Sequence, residues 1–132
     1  MLANLYNNLM KKFLIILFVF FNFEALAVEK KTTFNIDVFK KAQNDGKIVV
    51  VNSWNKFCGT CGRQTKVINE AKKEFPNIIF LSYEQTKNKE IAELLKIDYW
   101  ATIVVYKNNK EIHREIGITN KEEIYSLINK GV

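Results

Sequence analysis

Apolar runs alternate along this chain with segments whose apolar residues recur every three or four positions. Two runs, KIVVVNSW at 47–54 and NIIFLSYE at 77–84, are mostly apolar and rich in β-branched residues. Such runs are typical of strands that are buried on both faces of a sheet. A third segment, ATIVVYKNNKEIHREIG at 101–117, has an Asn-rich turn in its middle and predicts two strands joined as a hairpin.

Helical spacing predicts three helices before the hairpin. The first covers 36–44 and ends at the Gly-containing turn NDGK. The second carries its apolar face between Gly62 and Phe75 and ends before Pro76. The third is outlined by the apolar positions Ile91, Leu94 and Leu95.

A last helix is predicted to begin at TNKE, with Thr119 as its cap and Glu122 at the capping-box position. It should bury Ile124, Leu127 and Ile128. The predicted order is therefore helix, strand, helix, strand, helix, strand, strand, helix. This order indicates an α/β fold, a three-layer sandwich in which helices flank both faces of a mixed sheet of about four strands.

The first 27 residues are predicted to be a secretory signal peptide. The segment MKKFLIILFVFFNFEALA at 10–27 has two lysines, a short apolar run, and small residues at Ala25 and Ala27 that form an A-x-A cleavage site. Cleavage after Ala27 would leave the domain 28–132, and Met10 is an alternative start. An uncleaved membrane anchor is the other interpretation, although the apolar run is short for a span. Either way, we expect the domain to work outside the cytosol.

Composition limits the class of protein. A chain of 132 residues supports one compact domain, and a content of 48% hydrophobic and 26% charged residues is a globular balance. The net charge of +6 is spread as lysines through every segment, with no basic cluster interleaved with aromatic residues. Nucleic acid is therefore not an expected partner.

The candidate chemistry lies in VNSWNKFCGTCGRQ at 51–64, which contains both cysteines of the chain, Cys58 and Cys61. The pair follows a predicted strand and opens a predicted helix, where unpaired N–H groups and the helix dipole favour a thiolate. Cys58 should therefore be the nucleophile, with a modest contribution from the charge of Lys56. Cys61, one turn later, should attack a mixed disulfide at Cys58 and release the product.

The spacing of the pair is compatible with three other roles. A structural disulfide across so short a loop would remove little entropy from the unfolded chain. A tetrahedral metal site needs four ligands, and beyond the two thiols the chain offers only His113, in the predicted hairpin, so no metal is expected. Covalent haem attachment needs His directly after the second Cys, where this chain has Gly62.

With these residues in place, the chain resembles thioredoxin over about 34–130. The resemblance is carried by KIVVVNSWNKFCGTCGRQTKVINE, with Trp54 four residues before Cys58, then by ATIVVYKNNKEI and the late EIGITNKEEI. It implies the thioredoxin fold and thiol–disulfide exchange, with Cys58 attacking, Cys61 resolving and no cofactor beyond this pair. Together with the signal peptide, it implies a periplasmic member of the family.

The resemblance also implies partners and a direction. Protein thiols and disulfides are the expected substrates, a membrane protein is the expected electron donor, and the protein should be a monomer. The stretch between the cysteine motif and the hairpin is too short for the helical insertion of bacterial disulfide-forming oxidases. It is also too short for the insert common in cytochrome c maturation reductants. A reductant or isomerase is therefore favoured over an oxidase.

The chain departs from the family pattern around the cysteines. Ala101, between Trp100 and Thr102, stands where thioredoxins have a cis-proline facing the site, and we expect the Trp100–Ala101 bond to be trans. Asn52 replaces a buried acid beneath the cysteines and cannot accept the proton of Cys61 as a carboxylate could. The remaining predicted surround consists of Trp54, Phe57, Gly59 and Thr60, of which Phe57 and Thr60 replace the usual Trp and Pro. Ala101 and Asn52 also support an alternative function, a non-catalytic module that binds a client or a metal through its thiols.

Overall fold

The computed structural model describes residues 1–19 and 29–132. The predicted cleavage position after Ala27 lies outside these residues. A helix, α1, covers Leu2–Val19. Within the described ranges, no helix is both long and apolar enough to cross a membrane.

Four strands and four further helices follow in the predicted order. The helices are α2 Ile36–Asn44, α3 Gly59–Glu74, α4 Lys89–Leu95 and α5 Lys121–Asn129, and the strands are β1 Val49–Trp54, β2 Ile79–Glu84, β3 Thr102–Lys107 and β4 Lys110–Ile116. The sheet has the order β2-β1-β3-β4. Strands β1 and β2 are parallel, whereas β1–β3 and β3–β4 are antiparallel. This four-stranded mixed sheet confirms the predicted fold class.

The central strand β1 is buried on both faces because its side chains alternate between two apolar clusters. Val49 and Val51 pack in the cluster that includes residues of α2 and α4. Val50 points the other way, into the cluster formed with α3 and α5. The continuous apolar run therefore reflects a strand in the middle of a sandwich, with its carboxyl end free to carry the cysteine motif.

The hairpin between β3 and β4 turns at Asn108 and Asn109, with φ angles of 52° and 61°. Two successive positive φ values fit the tight turns that join antiparallel strands, and Asn tolerates this backbone region better than most residues. The Asn-rich turn predicted from the sequence is confirmed.

The cap predicted for the last helix is wrong by one residue. Asn120, not Thr119, caps α5, and its Oδ1 accepts hydrogen bonds from the N–H groups of Glu122 and Glu123 at 2.8 and 3.3 Å. Glu122 is therefore one position too early for a capping box. Asn and Thr are both good caps, so two adjacent candidates could not be separated by residue type.

Candidate active site

Both cysteines lie at the first turn of α3, directly after the carboxyl end of β1. Cys58 is the N-cap of the helix, with φ −87° and ψ 104°, and its Sγ accepts the N–H of Cys61 at 3.0 Å. The two are joined as a disulfide with an Sγ–Sγ distance of 2.05 Å. Cys58 is half-buried and Cys61 is fully buried. Only the first sulfur is therefore placed to meet a large substrate.

The position of the pair explains its chemistry. A backbone N–H aimed at the Cys58 sulfur, together with the positive end of α3, favours a negative charge on that sulfur when the disulfide is opened. Cys61 instead packs with Trp54 and Ala101 in a small apolar cluster. An apolar surround disfavours the charged form, so Cys61 has the environment of a thiol that reacts second.

The loop before Cys58, residues 55–58 and here named the active-site loop, is held by Asn55. The Asn55 Oδ1 accepts the N–H of Phe57 at 2.9 Å, and its backbone carbonyl accepts the N–H of Cys58 at 3.2 Å. Its Nδ2 donates to Glu84 Oε1 at 3.1 Å and to Thr86 Oγ1 at 3.2 Å. Asn55 is 6% exposed, so these are buried bonds that fix the loop. Sequence reasoning missed Asn55, although Asn is a common residue of such turns.

A groove of about 600 Å³ opens beside Cys58, lined by Cys58, Thr60, Asp98, Tyr99, Trp100, Ala101, Ile116 and Gly117. Three large apolar or aromatic side chains of this lining are exposed, Tyr99 to 65%, Trp100 to 46% and Ile116 to 53%. Phe57, in the active-site loop, is 87% exposed. Gly59 and Thr60 form the first turn of α3 at the edge of the groove. The groove therefore presents an exposed, largely apolar surface directly beside the Cys58 sulfur.

Ala101 closes this groove in an unusual backbone conformation. The peptide bonds of the described residues are all trans, which confirms the prediction for Trp100–Ala101, and Ala101 has a φ of +54°. An L-residue with a Cβ enters this left-handed region at a cost of about 1–2 kcal/mol. Ala101 is 5% exposed. The surrounding bonds must therefore hold the backbone there.

Those bonds come from three parts of the chain and hold residues 99–102, here named the Ala101 loop. The Ala101 N–H donates to the Ser53 carbonyl at 3.0 Å, and the Ala101 carbonyl accepts the N–H of Gly117 at 2.8 Å. Gln64 Nε2 donates to the Ala101 carbonyl at 2.9 Å and to the Ile118 carbonyl at 2.8 Å.

Hydroxyl groups complete the support of this loop. Ser53 Oγ and Thr102 Oγ1 both donate to the Tyr99 carbonyl, at 2.9 and 2.7 Å. Sequence reasoning predicted Thr102 at the site but missed Ser53 and Gln64. No local pattern marks either residue, because the groups they bind are 37 or more positions away along the chain.

The predicted position beneath the cysteines is confirmed as buried. Asn52 is 5% exposed and lines a small cavity of about 60 Å³, together with Trp54, Thr65 and Lys72. Burial lowers the pKa of Lys72 from its ordinary value. Position 52 is thus buried and carries a neutral amide in place of a charged group.

His113 lies away from the cysteines. It is on β4 with its Nε2 3.0 Å from Glu115 Oε1, and it pairs with Val105 of β3. Among the described residues, no group of three or more His, Cys, Asp and Glu side chains is arranged to hold a metal ion. The structure brings the two thiols together as a disulfide at the start of α3.

A redox-active cysteine pair that caps a helix at the end of the central strand defines a dithiol–disulfide oxidoreductase, and comparison with known proteins agrees. The thioredoxin family model matches residues 25–130. Thioredoxin of Geodia cydonium is 32% identical over 100 residues, which cover 76% of this chain and 93% of that protein. An H-type thioredoxin of Fagopyrum esculentum is 28% identical over 89 residues, covering 67% of this chain and 77% of the relative.

Solved structures show the same fold. Fasciola hepatica thioredoxin superposes with a TM-score of 0.66 at 26% identity, covering 74% of this chain and 93% of that one. Trxlp from Edwardsiella tarda superposes with a TM-score of 0.68 at 20% identity, covering 72% and 94%. The chain belongs to the thioredoxin family, and it is a thiol–disulfide oxidoreductase of that family.

Proposed function

We propose that this protein is an exported thioredoxin that reduces or isomerises disulfides of protein substrates, with Cys58 as the attacking and Cys61 as the resolving thiol. The observation that carries this assignment is the difference in exposure between the two sulfurs. Cys58 borders an open apolar groove, whereas Cys61 is fully buried behind it. A substrate disulfide can reach the first sulfur only.

The exchange then has two steps. The Cys58 thiolate attacks one substrate sulfur, the substrate S–S bond breaks, and the second substrate sulfur leaves as a thiolate that takes a proton. Cys61 next loses its proton and attacks the Cys58 sulfur. The mixed disulfide breaks, the first substrate sulfur leaves, and the Cys58–Cys61 disulfide forms. Two electrons have passed to the substrate, so an external dithiol must reduce the pair before another turnover.

The direction and location rest on separate observations. Between α3 and β3 the chain contains only β2 and the short helix α4, so there is no inserted domain of the kind that oxidases carry. The apolar segment and A-x-A site at 10–27 support export to the periplasm or an equivalent compartment. A membrane protein that supplies electrons, and a monomeric state, belong to the same proposal.

Insulin reduction by dithiothreitol tests the activity. The wild-type chain should precipitate the insulin B chain well above the dithiothreitol background, and Cys58→Ser should remove the increase because no nucleophile remains. A wild-type rate equal to background would reject exchange with protein disulfides and favour a binding module. For export, the protein recovered outside the cytosol should begin at Val28; recovery only in the cytosol with the first residues intact would reject it.

A further inference from the structure

Lys30, outside the cysteine motif, reaches the active-site loop. Its Nζ donates to three backbone carbonyls of that loop, those of Asn55 at 3.0 Å, Lys56 at 3.2 Å and Cys58 at 3.3 Å. It also lies 6.0 Å from the centroid of the Trp54 ring, within the range of a cation–π contact. One ammonium group therefore binds carbonyls on both sides of Phe57 and the carbonyl of the nucleophile itself.

The backbone around Lys30 is fixed against the sheet. Residues 29–34, here named the N-terminal strap, run beside the outer edge of β2. The N–H groups of Thr33 and Phe34 donate to the Ser82 carbonyl at 2.8 and 3.0 Å, and Thr32 Oγ1 accepts the N–H of Glu84 at 3.1 Å. These bonds hold the backbone of the strap against β2 and thereby place the Lys30 side chain next to the active-site loop.

Among the described residues, no carboxylate forms an ion pair with Lys30, and the nearby buried carboxylate of Glu84 is bonded instead to Asn55 Nδ2 at 3.1 Å. Lys30 is half-buried. A positive charge in such a position is screened less than one on the open surface and acts over several ångströms.

We propose that Lys30 is a positioning residue for Cys58: it orders the active-site loop and favours the thiolate of the nucleophile. Reduction of the Cys58–Cys61 disulfide by a dithiol adds two electrons and one proton, leaving a thiolate at Cys58 and a thiol at Cys61. The negative charge exists only in this reduced form. A fixed positive charge nearby therefore stabilises the reduced form relative to the disulfide and makes the pair easier to reduce.

The proposal gives the strap a part in the redox chemistry. Lys30 is the third residue of the domain that cleavage after Ala27 would leave. The strap and the cysteine motif would then work as one unit, although Lys30 and Cys58 are 28 positions apart in the sequence. The inference rests on the attacking role of Cys58 proposed above.

Two variants of the full chain separate charge from hydrogen bonding. Lys30→Gln keeps a donor but removes the charge, and Lys30→Arg keeps the charge. Lys31→Gln is the matched control, since it removes the same charge from the neighbouring residue, whose side chain is exposed. The urea midpoint of each variant shows whether it folds as the wild type does.

Two measurements are made on the reduced and re-equilibrated proteins. For Lys30→Gln, the rate of iodoacetamide alkylation at Cys58 in mildly acidic buffer should fall about threefold. The equilibrium constant with dithiothreitol should shift about threefold toward the disulfide form of the protein, about 14 mV for a two-electron couple. Lys30→Arg should stay close to wild type, and Lys31→Gln should change both values by less than Lys30→Gln does.

Equal effects of Lys30→Gln and Lys31→Gln would overturn the proposal, because a general surface charge would then suffice. So would unchanged values in Lys30→Gln. The proposal would also be overturned if Lys30→Arg lowered the alkylation rate and shifted the equilibrium constant as much as Lys30→Gln does, with a lowered urea midpoint in both variants. The role of Lys30 would then be structural. Peptide mapping separates this result from failure of the proposed function: preferential alkylation of Cys61 in the wild type would reject the role of Cys58 itself.

Discussion

Replacing Gln64 by methionine should loosen the Ala101 loop while leaving the cysteines in place. Gln64 is fully buried in α3, and its Nε2 donates to two backbone carbonyls, those of Ala101 and Ile118. Methionine has a similar length and fills the same space without a donor. The variant therefore removes two hydrogen bonds and little packing.

The size of the effect follows from which groups lose a partner. The Ala101 carbonyl keeps the N–H of Gly117 at 2.8 Å, so it remains paired. The Ile118 carbonyl has no other donor among the described residues and becomes unpaired, at a cost of about 1–3 kcal/mol. Against this, Gln64 Oε1 is itself buried without a partner, and its removal returns part of that cost. We expect a net loss of about 2 kcal/mol in the free energy of unfolding.

Gln43→Met is the control. Gln43 is 2% exposed and also makes two hydrogen bonds, donating to the Lys47 carbonyl at 3.2 Å and accepting the N–H of Asn109 at 3.0 Å. It lies at the end of the sheet opposite the cysteines, beside the β3–β4 turn. Urea unfolding should show a comparable loss of stability in both variants, of about 1–3 kcal/mol.

Insulin reduction at matched folded concentration then separates the two positions. Gln64→Met should lose several-fold in rate, and Gln43→Met should keep the wild-type rate. If both variants retained full activity, the hydrogen bonds of Gln64 would be structural only. The Ala101 loop would then not need them to receive a substrate.

Three further outcomes are expected. Cys61→Ser, expressed as the full chain 1–132, should accumulate mixed disulfides through Cys58 that run as larger bands without reductant and collapse to one band with it. Absence of such adducts would contradict the resolving role of Cys61. Ala101→Gly should change the free energy of unfolding by less than about 0.5 kcal/mol, because relief of the positive φ offsets the lost methyl group and the added entropy of the unfolded chain. The control Ala71→Gly, in α3, should lower the free energy of unfolding by about 1–2 kcal/mol. Equal losses in the two variants would show that the backbone of Ala101 is not strained. Hydrogen bonding from Arg114 lowers the pKa of Glu111, so this pair stabilises the fold above the unfolded pKa of Glu, and the contribution is lost as pH falls through the lower folded pKa. The urea midpoint should therefore drop more for wild type than for Glu111→Gln between about pH 7 and about pH 3. Parallel curves for the two proteins would reject the contribution of this pair.

Features that depend on local pattern could be predicted from the sequence. The buried runs of β1 and β2, the Asn-rich turn and the helix that carries the cysteines follow from side-chain alternation, turn propensity and helix spacing. Burial of Cys61 behind Cys58 follows from the same local geometry, because position 61 lies one turn into a helix that packs on the sheet. Helix α3 begins at Gly59, three residues before the apolar face that the sequence marks from Gly62, since apolar spacing does not define the first turn of a helix.

Features that depend on contacts between distant segments could not be predicted. Nothing near Lys30 in the sequence indicates that its ammonium meets the carbonyls of the active-site loop, because lysines occur throughout the chain. The sequence does not distinguish Gln64 from other polar residues of α3, because its partners, the carbonyls of Ala101 and Ile118, lie in distant segments of the chain. The left-handed backbone of Ala101 is also invisible in the sequence, since alanine does not favour that region.

Ala101 stands where the resemblance to thioredoxin implies a proline, and this difference changes how the groove beside Cys58 is held. A proline ring fixes its own φ by a covalent bond and donates no hydrogen bond. Ala101 instead uses its N–H, bonded to Ser53, and its carbonyl, bonded to Gly117 and Gln64. Each such bond contributes only about 1 kcal/mol and can open, so the loop is held by the sum of several weak bonds and not by one rigid ring. The groove wall at Trp100 should therefore adjust to a bound segment more readily than a proline-fixed wall would, and this adjustment should depend on Gln64, whose side chain hydrogen-bonds to the loop from α3.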